Sequence, residues 1–162
     1  MGNCKCTCLL SRTLIALMSF VNPVNTSYCL EKLCESNYQK LLKLIPDLFI
    51  LKDISIGIAR HTTSLHLTVI AVSRYTMTIE LTHRFINGKN LLEKPAVLIC
   101  IYLDLKLAEV LNHHGRSSVA QVFKNTSLSH EVMNYKWRLN YFLQKWLDHC
   151  INKEYQFNRL VN

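Results

Sequence analysis

The hydrophobic period of this chain changes twice along its length, and those two changes restrict the folds open to it. From Thr26 to Ile45, Leu30, Leu33, Cys34, Tyr38, Leu41 and Ile45 recur at three- and four-residue steps, while Lys32, Glu35, Gln39, Lys40 and Lys43 fill the opposite face. Thr26 or Ser27 is placed to cap this helix, Glu31 to lie in its first turn and Pro46 to end it. The period then shortens to two, through Ile54, Ile56 and Ile58, then Leu65, Leu67, Val69 and Ala71, then Tyr75, Met77, Ile79 and Leu81. The polar half of the alternation is Ser64, His66 and Thr68, then Thr76, Thr78, Glu80 and Thr82, as in an antiparallel sheet with one solvated face. Short links at Arg60 to Thr63 and at Ser73 to Arg74 make these strands antiparallel neighbours.

Asn87 and Gly88 mark a turn inside a longer polar connection, and Pro95 precedes a fourth run, Ala96 to Tyr102, apolar enough to be central. A tight turn near Asp104 leads into Leu107 to Leu111, and Val119 to Phe123 supplies a short sixth strand. From Ser129 to Asn152 the helical period returns with Val132, Leu139, Leu143, Trp146, Leu147 and Cys150. The expected fold is an α+β domain: an N-terminal helix, a five- or six-stranded, mainly antiparallel sheet, and a C-terminal helix, with both helices on one face.

A length of 162 residues suits one domain. Residues 28–155 are expected to form it, with 1–27 as an N-terminal extension and 156–162 as a tail. Met18 is the favoured start of the protein, because Cys4, Cys6 and Cys8 lack the fourth ligand of a closed metal site and the residues before it mimic a signal peptide without a small-x-small cleavage pattern. Leu14 to Val24 is too short to span a bilayer, so no membrane span is expected. The seven cysteines, an odd number, fall mostly inside periodic elements, which suggests reduced core thiols and a cytoplasmic protein. A net charge of +8 favours acidic partners, but the nineteen Lys and Arg are dispersed, so nucleic-acid binding should be weak and non-specific at most.

Specific catalytic signatures are missing: the four glycines never cluster into a phosphate loop, and neither His-Glu-x-x-His nor Cys-x-x-Cys occurs. No cofactor and no metal is expected. His113 and His114, with His130 or His149, read as a surface set, His66 and His83 as strand residues facing water, and Cys34 and Cys150 as inert core residues. Trp137, Tyr141 and Trp146 read as core, with a stacking surface completed by Arg138 and Lys145 as the functional alternative.

Four pieces resemble the YqiB-like bacterial family of unknown function across residues 28–155. They are Cys34-Glu35-Ser36-Asn37-Tyr38 with Leu41, Leu44 and Pro46; Ser73-Arg74-Tyr75-Thr76; Tyr102 and Asp104 with Ala108-Glu109-Val110; and Lys136 with Leu139-Asn140, Phe142-Leu143, Trp146-Leu147 and Cys150. Relatives resemble Leu-Tyr-His-Asp where this chain has Ile101-Tyr102-Leu103-Asp104, which removes that histidine from any role here. The resemblance implies the same helix, sheet, helix order and no assigned activity. Arg74, Tyr75, Tyr102, Asp104 and Glu109 are the candidate functional polar residues. The favoured function is a non-catalytic binding or adaptor module that contacts a protein partner, or a second copy, through the sheet face bearing the threonines, Glu80 and His66. The alternative is an enzyme for a small phosphorylated or nucleotide substrate, with Arg74 as anion contact and Asp104 or Glu109 as acid or base.

Overall fold

A computed structural model of the protein describes residues 26–60, 62–87, 90–111 and 126–158. Helix α1 (Thr26–Leu44) begins at Thr26 itself, so Glu31 lies beyond its first turn. It stops two residues before Pro46, where the ring disfavours helical backbone in the preceding residue. A 3-10 turn, Leu48–Ile50, carries the chain into strands β1 (Ile54–Ile58), β2 (Leu65–Val72), β3 (Thr76–Asn87), β4 (Asn90–Tyr102) and β5 (Leu107–Val110). Helix α2 (Thr126–Asn152) and a short strand, β6 (Gln156–Asn158), complete the described chain. No helix among the described residues is long and apolar enough to cross a membrane.

The six strands form one antiparallel sheet in the order β5-β4-β3-β2-β1-β6. Leu67, Leu81 and Val97 are opposite one another, as are Ile79, Ile99 and Val110, and Met77, Ile101 and Ala108. These residues share a face and are buried in one cluster with Tyr38, Leu41, Leu44 and Ile45 of α1 and Leu143, Trp146, Leu147 and Cys150 of α2. Both helices therefore cover the same face. Their cross-contacts advance together, from Asn37 with Asn140 to Lys40 with Asp148, so the two helices run parallel.

Two elements differ from the sequence expectation, and a third falls outside the described residues. The polar connection around Asn87 and Gly88 is instead a long hairpin: β3 and β4 continue pairing to Asn87 and Asn90, across two intervening residues. Pairing satisfies backbone groups that a loop would leave to water. The register slips between Thr82 and Arg84, opposite Pro95, whose missing N–H cannot join a regular ladder. The expected strand at Val119 to Phe123 lies outside the described residues. The sixth strand is Gln156–Asn158, expected in a tail, which reaches β1 after the chain reverses at Glu154 with φ 55°.

Strand β1 is also inverted relative to its hydrophobic alternation. Ser55 and Gly57 oppose Leu67 and Leu65, and so face the helices, while Ile54, Ile56 and Ile58 face away. The cause is steric. A Cβ on Gly57 would lie 2.8 Å from Phe157 Cζ, so the ring of Phe157 occupies the space that a side chain at 57 would need. Gly57→Val should force this ring out and cost about 1 to 3 kcal/mol, typical of overpacking. Thermal melting would register it as a fall of several degrees, and the double change Gly57→Val with Phe157→Ala should recover part of the loss.

Candidate functional site

Four of the five candidate residues meet at one end of the sheet. The β2–β3 turn is closed by Ser73 N–H donating to Thr76 O at 2.8 Å, and the neighbouring β4–β5 turn is tied to it by Leu103 N–H donating to Tyr75 O at 2.8 Å. Tyr102 pairs with Thr76, which brings it beside Arg74 and Tyr75 along the chain and Asp104 just beyond. The Arg74 guanidinium lies 5.1 Å from the centre of the Tyr75 ring, a cation–π contact. Asp104 is exposed, and its Oδ1 accepts the N–H of Leu105 at 3.0 Å. Burial, with Cys100 alongside, pushes the Tyr102 hydroxyl up to about 12, so it stays a protonated donor at neutral pH.

Glu109 lies on the neighbouring strand, close enough for its charge to add to the rise of Tyr102. It lies inside β5 and its Oε1 takes the ammonium of Lys136 from α2 at 2.5 Å. The same seam carries a fully buried pair of asparagines. Asn140 Oδ1 accepts Val110 N–H at 3.0 Å, and Asn140 Nδ2 donates to Lys136 O at 3.0 Å. Asn37 Nδ2 donates to Asn140 O at 3.2 Å, and both asparagines are fully buried. Gln144 donates to Ser36 Oγ one turn further along. Asn37, Lys136 and Asn140 all belong to the motif pieces, yet only a folded chain shows that they converge: their sequence positions place them on two helices without saying which strand lies between.

A second buried cluster surrounds His83, which does not face water. It continues the inward phase of Met77, Ile79 and Leu81, opposite Leu65, and sets its ring edge-on to Trp146 at 5.4 Å between centres. Tyr155 gives its only hydroxyl proton to Thr63 O at 2.7 Å, so His83, 3.2 Å away, is the donor through its Nε2–H. Burial, reinforced by the charges of His149 and His66, pushes His83 down to about 4. His66 points to the other face, where it is also buried and bonded to Ser64 Oγ. His113 and His114 lie outside the described residues, and no group of three metal-ligating side chains occurs among the described ones. Burial raises Cys34 and Cys150 to about 12, which removes them as thiolate nucleophiles at neutral pH. Trp137 and Trp146 are buried, with Trp137 stacked on Tyr141 at 5.0 Å.

Residues 40–156 match the family model described as a protein of unknown function, DUF1249. The chain belongs to this family. The matched span covers the sheet, the exposed turns and α2, and begins within α1, after the Cys34 to Tyr38 piece. No curated protein and no solved structure matches the chain.

Two outcomes are expected from these clusters of the DUF1249 fold. Asn140→Ala leaves Val110 N–H without its acceptor in a buried seam, while Asn37 Nδ2 keeps the main-chain carbonyl of residue 140, and should destabilise by about 1 to 3 kcal/mol in urea unfolding. For His83, the unfolded imidazole takes up its proton near pH 6.5 and the folded one only near pH 4. The unfolded state therefore binds more protons across that interval, so stability is full above pH 6.5 and falls as the pH drops towards 4, by about 3 kcal/mol in all. Urea midpoints measured across this range should show the fall, and His83→Gln should flatten most of it.

Proposed function

We propose that this protein is a non-catalytic binding module that associates with a second copy of itself through the sheet face turned away from the helices. The inverted strand β1 carries the reading. It sets Ile54, Ile56 and Ile58 in a row on that face beside Thr68 and Glu80, and leaves Ile54 and Ile58 48% and 56% exposed. Large aliphatic side chains in a row on an uncovered sheet are the kind of surface that association removes from water. A two-fold axis would set one isoleucine row against its copy, the self-complementary arrangement of a symmetric dimer. The middle of the face is less open than the threonine pattern suggested, since His66, Thr82 and Cys100 are buried, so the contact is centred on β1.

The enzymatic alternative has less behind it, since Glu109 pairs with Lys136 and Asp104 accepts a neighbouring amide. A polyanion surface across the helices is weakened in the same way by the Lys40 to Asp148 pair at 2.6 Å. The motif pieces further support placing the chain with the YqiB-like bacterial proteins, and the free cysteines agree with a cytoplasmic setting.

Light scattering coupled to size exclusion tests the dimer. The intact chain should pass from monomer to dimer across the micromolar range, and Ile54→Asp with Ile58→Asp should remain monomeric with unchanged melting. A strict monomer throughout that range would remove the proposal.

A further inference from the structure

We propose that the exposed turn end of the sheet docks the protein on an anionic membrane surface. This surface is not the β1 row, and its contact with lipid does not depend on dimerisation. The last core residues at this end are Met77, Ile101 and Ala108; beyond them residues 70–75 and 104–106 are exposed without a break. Within these two stretches Ile70, Val72, Tyr75 and Leu105 are 53%, 65%, 53% and 62% exposed. Ile70 and Val72 at the end of β2, with Tyr75 and Leu105 on the two turns, are more than the scattered surface residues every soluble chain shows.

Shape and charge select the occupant. The apolar groups sit at the tip of the sheet, beyond its last core residues, a placement that suits entry into a fluid interface. Hydrogen bonds across the turns hold the tip rigid before contact, and little conformational entropy is left to lose. Arg74 and Lys106 are exposed on the same two turns, while the one carboxylate there, Asp104, accepts a local amide. Tyrosine with an adjacent cation suits the headgroup level of a bilayer, where the ring sits among the lipids and the cation meets phosphate. The net charge of +8 adds long-range attraction to an anionic leaflet. Leu105 is at the crest of its turn and would enter deepest.

Sedimentation of the full chain with vesicles of phosphatidylcholine alone, and of phosphatidylcholine with phosphatidylglycerol, tests the proposal. Binding is expected to the anionic vesicles only, and should weaken at high salt as charge is screened. Leu105→Glu should lower the bound fraction at least about tenfold, since it removes an apolar anchor and adds a repelled charge. Arg74→Gln with Lys106→Gln should reduce binding to the level of the neutral vesicles. Far-UV circular dichroism confirms that each variant is folded. Leu105→Trp gives an independent readout, a blue shift of its emission on adding anionic vesicles. Failure to sediment with anionic lipid, equal binding to neutral lipid, or undiminished binding by Leu105→Glu would each overturn the proposal, as would a Leu105→Trp emission that stays at its solvent-exposed position.

Discussion

The architecture depends on how the β5 edge of the sheet is closed. Leu111 N–H points to β4, so in the alternation of an antiparallel strand Val110 N–H points outward, where a bare edge would present it to solvent or to another chain. Asn140 Oδ1 takes that proton, and the same side chain anchors itself to Lys136 O one turn back. Asn37 then bonds to Asn140 and locks α1 to the pair. Asn37 Oδ1 has no hydrogen-bond partner among the described residues. Turning the amide over would set this oxygen against two acceptors of Asn140 and lose the Nδ2 bonds, so the observed orientation is the less costly one. One asparagine pair thereby fixes the register between two helices and the edge they cover.

The opposite edge is closed by different means. There Phe157 lies across Gly57, and Tyr155 ties the β1–β2 link to the core through Thr62, Thr63 and His83. Parallel helices crossing from one edge to the other need both ends held, and the ion pairs along their seam contribute little of that. Lys40 and Asp148 are partly solvated, and such pairs typically give about 0 to 1 kcal/mol. Most of the stabilisation must come from the apolar cluster, with buried polar groups deciding which packing is adopted. His83 makes the β6 end sensitive to acid in a way that the β5 end is not, because its imidazole must stay neutral to remain among Trp146 and Tyr155.

Periodicity made the two helices and the main strands readable, because Leu41 and Leu143, or Ile79 and Ile99, occupy positions that only one element type can bury on one side. The same rule misled at β1, where the apolar alternation Ile54, Ile56, Ile58 points away from the helices. The deciding residue, Phe157, is a hundred positions downstream in a strand of three residues, too short to show any alternation. His83, expected to face water, instead follows the inward phase of Met77, Ile79 and Leu81, a burial that Trp146 and Tyr155 make possible from far along the chain. At the candidate site, Arg74, Tyr75, Tyr102 and Asp104 were separable as motif residues, but their meeting at one end of the sheet depends on β3 pairing with β4. Glu109 was drawn into the same group by its motif, whereas Lys136 holds it at the seam.

The motif residues thus divide by physical role. Asn37, Glu109, Lys136 and Asn140 are spent on the seam, where each has a partner that accounts for its chemistry. Arg74 and Tyr75 have no comparable structural duty: their side chains meet mainly each other, at an exposed turn whose backbone bonds any residue pair of suitable φ and ψ would make. Lys106, close by, holds a left-handed φ of 55° that glycine would adopt without strain. A turn optimised for stability alone would place glycine there and polar residues at Leu105 and Tyr75. A cation in the left-handed position and apolar groups at the crest are what the membrane contact proposed for this end of the sheet would use.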